Sequence, residues 1–280
     1  FYPGENGILY RVKLNTNYDE AAGTISVEPD EMLKYRYNAD RYRDSKYYLG
    51  YEDSAVVWNE YMYLTDNGGL MQCINLNTMD IVWTQDTWDD TNGTPALEVV
   101  EEDHTAYLYL GTSLRINANS DSTGDVAFFK IDAATGKIIW KDVRNVKTVK
   151  GVSGGVQASA VLGKKSIDDL VIVPYARYPS DKSGRGALVA LDKATGEERW
   201  RYSSDYSWSS PVAVYDAAGN AYIVHANSEQ SVFLLDGKTG ELLDALTFEE
   251  RNNFEASPAV SENTIVIGSR LGRIYGITIN

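Results

Sequence analysis

The sequence predicts an all-β fold assembled from four-stranded antiparallel blades, and three observations predict it. A nine-residue phrase recurs, most clearly as Asp132-Ala133-Ala134-Thr135-Gly136-Lys137-Ile138-Ile139-Trp140 and Asp192-Lys193-Ala194-Thr195-Gly196-Glu197-Glu198-Arg199-Trp200. Short β-type runs separated by turn residues fill the spaces between copies, and a triplet of small residues opens each unit. Self-similarity at a period of roughly 40 to 60 residues marks a propeller, a solenoid or an array. Four short strands per unit, with no convincing long amphipathic helix, select the β-propeller.

The elements follow in chain order. Residues 7–14 read as the third strand of a unit, and a degraded copy of the phrase begins at Lys13 and keeps only Thr16. The copy Asn75-Leu76-Asn77-Thr78-Met79-Asp80-Ile81-Val82-Trp83 keeps the Trp and loses the Gly. After the two full copies, Asp236-Gly237-Lys238-Thr239-Gly240-Glu241-Leu242-Leu243-Asp244 keeps the turn but ends on Asp244. In the fifth unit the strands, A to D from inside to outside, are 209–215, 221–226, 232–236 and 242–248. The Thr-Gly turn between C and D recurs because Gly takes positive φ there at little cost. A-strands open with Asp53-Ser54-Ala55, Gly93-Thr94-Pro95, Ala158-Ser159-Ala160, Ser209-Ser210-Pro211 and Ala256-Ser257-Pro258, small where strands crowd the axis. The chain ends on another C-strand, 272–279. Residues 1–280 therefore read as one domain with four complete blades and a partial one at each end, or as part of a ring of about seven or eight blades.

Composition narrows the partners. With 26 basic and 40 acidic residues the net charge is −14, which repels phosphate backbones and argues against nucleic acid. No apolar run approaches a membrane-spanning length. The first residue is Phe rather than Met, which is expected of a processed or excised piece. Cys73 has no possible disulfide partner in the chain and reads as a buried, inert thiol. His104 and His225 stand without spaced acid or thiol partners.

The pattern Asp-x-x-Thr-Gly-x-x-x-Trp after an apolar C-strand resembles the repeat of the pyrroloquinoline-quinone (PQQ) dehydrogenases and their cofactor-free relatives, from about residue 7 to 279. The resemblance implies that Trp83, Trp140 and Trp200 dock each blade against its neighbour's Thr-Gly turn, and it leaves Asp244 as a departure. It also implies a position outside the cytoplasm, whether secreted, periplasmic or at the cell surface. Quinoprotein dehydrogenases hold PQQ against adjacent disulfide-bonded cysteines and coordinate Ca²⁺ with an acid–amide set. One cysteine cannot form that disulfide, so the resemblance is to the non-catalytic branch, which includes the scaffold lipoprotein of the outer-membrane barrel-assembly machine. No PQQ and no other cofactor is expected.

In an A-B-C-D meander the A–B and C–D turns share one face, while B–C loops and D–A crossovers share the other. The sequence puts its long insertions on the second face: crossovers 84–92 and 141–156, the stretch before Glu52, and loops 112–125 and 175–185. Every A–B and C–D turn is expected to be short. Long loops gathered on one face mark the binding surface. The residues entering each A-strand, Glu52, Asn92, Gln157, Trp208 and Glu255, should ring the central mouth, with Trp88, Asp89, Asp90, Arg177, Tyr178, Phe254 and Arg270 around it.

Two binding readings follow, a protein partner anchored on Trp88, Tyr178 and Phe254, or a glycan or small molecule stacking on Trp208 in the mouth. A divergent quinone-dependent oxidoreductase, or a lyase or hydrolase using Glu52 and Glu255 as acid and base, is the catalytic alternative. The loop bearing Asn117, Asn119 and Asp121 spaces its oxygens as Ca²⁺ loops do, although its Gly comes two places late and the bidentate Glu is missing.

Overall fold

The computed structural model describes residues 1–4, 7–14, 17–26, 28–36, 50–119, 121–181, 184–249 and 253–279. They form a row of antiparallel sheets in chain order, the blades of a propeller. Blade one contains β1 (Tyr2–Pro3), β2 (Leu9–Leu14) and, beyond a small hairpin of β3 (Tyr18–Asp19) and β4 (Thr24–Ile25), β5 (Pro29–Tyr35). Blade two is β6 (Val56–Trp58), β7 (Tyr61–Thr65), β8 (Leu70–Asn75) and β9 (Ile81–Asp86). Blade three is β10 (Ala96–Val100), β11 (Thr105–Gly111), β12 (Thr123–Asp132) and β13 (Ile138–Lys147). In blade four, β14 (Gly155–Val156) and β15 (Val161–Leu162) both pair with β16 (Leu170–Ala176), followed by β17 (Arg185–Asp192) and β18 (Glu198–Asp205). Blade five is β19 (Val212–Tyr215), β20 (Ala221–Ala226), β21 (Ser231–Asp236) and β22 (Leu242–Thr247), and blade six is β23 (Ala259–Ser261), β24 (Thr264–Gly268) and β25 (Ile274–Thr278).

Middle strands are buried on both faces because each blade is sandwiched between two others. The period-two alternation therefore vanishes in β16, where every residue is buried. The core divides into clusters, each spanning one blade boundary. Leu9 meets Met62, Leu64 and Ile74; Tyr63 and Met71 meet Leu108 and Phe129; Tyr109 and Phe128 meet Val173 and Val189. Ile172 and Leu188 meet Ile223 and Leu235, and Val224 and Ala226 meet Ile265 and Ile267.

The recurrent phrase builds one local structure each time. Its leading acid or amide holds the turn: Asp132 Oδ1 accepts the Thr135 N–H at 2.7 Å, Asp236 Oδ1 that of Thr239 at 2.8 Å, and Asn75 Oδ1 that of Asn77 at 2.9 Å. A bulge then shifts the C–D register in the first five blades, between Lys13/Leu14, Cys73/Ile74, Lys130/Ile131, Ala190/Leu191 and Leu234/Leu235. The residue paired just beyond it is Glu31, Trp83, Trp140, Trp200 and Asp244 in turn. Each Trp reaches the next blade's turn. Trp83 Nε1 donates to Ala133 O at 3.1 Å, Trp140 Nε1 to Lys193 O at 3.0 Å, and Trp200 Nε1 to Gly237 O at 3.1 Å.

The turn glycines lie under those rings. A Cβ on Gly136 would fall 2.6 Å from the Trp83 ring and one on Gly196 2.7 Å from Trp140, and Gly240 sits as tightly under Trp200. Blade one offers Glu31, which is exposed, and the turn it faces carries Met79 at φ +62 in place of Gly. Met79 is buried in one cluster with Leu9, Leu64 and Ile74, at a boundary that has no docking ring.

The small triplets do more than save room. Ser54 N–H donates to Thr94 Oγ1 at 3.1 Å, Ser159 N–H to Ser210 Oγ at 3.2 Å, and Ser210 N–H to Ser257 Oγ at 3.2 Å, linking neighbouring blades near the axis.

Two expectations need correction. The first C–D connection is long, because the β3–β4 hairpin occupies it. In blade three, much of the expected crossover 141–156 is strand: β12 and β13 run on as a ribbon as far as the Thr123–Lys147 pair. Thr16, Ser120 and most of the stretch before Glu52 lie outside the described residues.

Trp200 is only 8% exposed, so Trp200→Ala should cost about 3–5 kcal/mol of stability, read from urea midpoints. Gly240→Ala alone should also destabilise, through the clash with that ring. The double variant should then be less destabilised than the sum of the two by more than about 0.5 kcal/mol. Strict additivity would mean that ring and glycine do not share one contact.

Candidate functional site

The crossover after β9 shows how the long-loop face is held. Asp89 is buried, and its Oδ1 accepts the N–H groups of Asp90 at 2.8 Å, Arg115 at 3.1 Å and Ile116 at 2.7 Å, while Oδ2 accepts that of Asn117 at 3.1 Å. Burial raises its pKa, and these four N–H bonds pull it back. One carboxylate thus ties the crossover to the B–C loop of blade three. Trp88, immediately before it, has φ +67, a conformation that costs a bulky residue about 1–3 kcal/mol. Its N–H donates to Asp86 Oδ1 at 2.7 Å, and its carbonyl accepts Asn117 Nδ2 at 2.8 Å. The ring is 44% exposed, with the Lys141 ammonium 5.0 Å from its centroid and Phe129 5.8 Å away. Beside it lies a cavity of about 240 Å³, lined by Thr87, Trp88, Asn117, Asp125, Val126, Ala127, Lys141 and Val143 among others.

Toward the axis, Asn92 Nδ2 donates to Ser113 Oγ at 2.8 Å and to Gln157 Oε1 at 3.0 Å, so two of the expected rim residues meet. Ser113 Oγ donates to Asp90 Oδ2 at 3.0 Å. Burial lifts the Asp90 carboxyl to about 6, and the nearby Glu52 charge adds to that lift. On the opposite side Arg177 lies over the Tyr206 ring at 4.1 Å, Tyr206 packs against Trp208 at 5.8 Å, and Arg270 Nε pairs with Glu255 Oε2 at 2.6 Å. The mouth therefore has one acidic–amide side and one aromatic–basic side.

Several expected residues lie elsewhere. Phe254 is fully buried with Ile265 and Ile267, and its ring meets Phe248 at 5.1 Å; an apolar ring beside the last interface joins the core and cannot anchor a partner. Tyr178 is half-buried outside the mouth. Its ring meets that of Tyr175 at a tilt of 47° and 5.8 Å, its hydroxyl accepts from Arg144 at 3.1 Å, and Arg201 lies 5.0 Å from its ring. Asn119 Oδ1 accepts the N–H groups of Asp121 at 3.0 Å and Thr123 at 2.9 Å, and Asn117 Nδ2 is turned to the Trp88 carbonyl, so both amides are engaged by the protein itself.

Sequence reasoning missed Asp53. It opens an A-strand triplet where the other blades place Gly, Ala, Ser and Ala, and that anomaly was the available signal. Thr65 Oγ1 donates to its Oδ2, Oδ1 has no partner, and burial pushes the carboxyl up to about 8.

The adjacent disulfide that the resemblance implies for PQQ binding needs two cysteines, and the chain has one. Cys73 is the sole cysteine, is 1% exposed in the blade two–three core, and has its thiol pushed by burial to about 12. Asp89 is committed to backbone N–H groups, and among the described residues no group of three His, Cys, Asp or Glu side chains could hold a metal ion. His225 is buried and pushed down to about 3, deep in a strand.

A family profile described as "Outer membrane protein assembly factor BamB" matches residues 49–207 and 130–280. The outer membrane protein assembly factor BamB of Kangiella koreensis is 23% identical over 207 residues, which is 74% of this chain and 45% of that protein. The quinohemoprotein alcohol dehydrogenase of Comamonas testosteroni is 23% identical over 241 residues, 80% of this chain and 28% of that one. The crystal structure of BamB from Moraxella catarrhalis matches with a TM-score of 0.53 at 17% identity, over 81% of this chain and 57% of that chain. The chain thus spans less than half the length of these two curated relatives.

Asp53 gives the fold a pH signature. Its folded pKa of about 8 lies above the ordinary value of 3.8, so the unfolded chain loses that proton first. The stability contributed by this group then falls as pH rises from the ordinary value to the raised one. Asp53→Asn lacks that slope. Its stability relative to the parent should rise by more than about 1 kcal/mol between pH 5 and pH 8 in urea denaturation. A difference that stays flat would contradict the burial of an unpaired carboxyl.

Proposed function

The chain belongs to the PQQ-like propeller family described as outer membrane protein assembly factor BamB, and from that premise we propose a non-catalytic scaffold that binds a protein partner outside the cytoplasm. The location and the kind of partner come from the family's description. The carrying observation is Trp88, an exposed aromatic on the long-loop face, fixed at an unfavourable φ by Asp86 and Asn117 beside a staple built on Asp89. Exposed Trp residues are enriched among the hot spots of protein interfaces. The opposite face carries the Thr-Gly turns, whose groups are occupied with the docking tryptophans.

The dehydrogenase relative keeps an oxidoreductase reading in view. Against it stands the lone buried cysteine, which has no second cysteine in the chain to form the adjacent disulfide that the resemblance implies for PQQ binding. Purified protein incubated with PQQ, Ca²⁺ and alcohols or sugars should reduce dye no faster than the buffer control. Protein-dependent turnover would overturn the non-catalytic reading.

Site-specific photo-cross-linkers test the face. A cross-linker at position 88 should capture discrete partner proteins from cell-envelope extracts, and one at Lys238 in a short turn should capture none. Capture from Lys238 alone would place the binding surface on the wrong side of the propeller.

A further inference from the structure

We propose that the cavity beside Trp88 receives one large apolar side chain of the protein partner, flanked in that partner's sequence by a carboxylate. The inference rests on the scaffold reading and specifies its chemistry. At about 240 Å³ the cavity falls below the range of ordinary small-molecule sites, which begins near 300 Å³, and suits a single side chain. Its lining includes Val126, Ala127 and Val143, and Val143 is 49% exposed where the cavity opens. The aliphatic part of the lining stands beside the Trp88 ring and gives an inserted apolar side chain its contact surface.

The wall is pre-formed. Trp88 is held through its own N–H and its own carbonyl, so little ordering remains to be done when a guest arrives. The rim supplies the charge selection. Lys141 carries its ammonium over the Trp88 ring and makes no ion pair with any described residue. On a chain of net charge −14 that cation is a local exception, and it favours a carboxylate beside the inserted side chain. Asp125, also in the lining, is held by Asn145 Nδ2 at 2.8 Å.

Indole ¹⁵N–¹H spectra test this directly, because the chain has six tryptophans and Trp88→Phe identifies one resonance. The probes are acetylated, amidated tetrapeptides Gly-Leu-Asp-Gly, Gly-Ser-Asp-Gly and Gly-Leu-Lys-Gly, and chitotriose. The Leu-Asp peptide should shift the Trp88 indole saturably in the millimolar range. The Ser-Asp peptide should bind at least about tenfold more weakly, for want of the buried side chain. The Leu-Lys peptide should bind about threefold more weakly, and Lys141→Glu should reverse the order of the Asp and Lys peptides. Val143→Asp, on an exposed residue, should abolish the shift while leaving the other indole resonances in place.

Equal response to the Leu and Ser peptides, no saturable shift from any peptide, or a Trp88 shift from chitotriose alone would each overturn the proposal. If the peptides fail while a cross-linker at position 88 still captures a protein, only this pocket chemistry falls. If they bind while capture fails, the scaffold reading falls and the pocket stands.

Discussion

Blades two, three and four are each held to the next by an indole ring lying on a glycine. Trp83, Trp140 and Trp200 emerge just past a bulge that aims them out of their own sheets, and each gives its N–H to a carbonyl in the following turn. The glycine beneath is required twice, once for its positive φ and once because a Cβ would enter the ring. The turn around it adds further links. Lys193 O accepts both Trp140 Nε1 and Lys130 Nζ, and Lys193 Nζ reaches back to Glu98 at 2.7 Å. Where the ring is absent the glycine is absent too, as Glu31 and Met79 show.

This arrangement divides the propeller's labour. Docking occupies the face with the Thr-Gly turns, and the triplet hydroxyls occupy the axis. The long-loop face is left to vary, and there the chain invests in Asp89, whose buried carboxylate orders two loops of adjacent blades around Trp88. A buried carboxylate is costly unless hydrogen-bonded, and four N–H groups meet that condition. The outcome is a rigid frame carrying an exposed aromatic and a mouth with unlike sides.

The docking pattern was legible in the sequence because it repeats: the Trp, the Gly and the small triplets recur at fixed places, and one geometry satisfies all copies. The long-loop face was legible as a face, since strand order assigns every loop to one side. Its side chains were less so. Phe254 and Trp88 both read as loop aromatics, but one enters the last interface and the other stays exposed, a difference set by neighbours far away in the chain. Tyr178 was drawn outward by Arg144 and Arg201, on strands of two blades. The ribbon extension of β12 and β13 was hidden because its residues are polar, and polar strands resemble loops when no core face imposes alternation.

The coupling between ring and glycine can be tested at the one turn that breaks the rule. Met79→Gly removes the positive-φ strain, which alone would stabilise the protein. If Met79 fills the place of a missing docking ring, losing its buried side chain should outweigh that relief, and urea denaturation should show a net loss of about 1–3 kcal/mol. A net gain in stability would contradict the account.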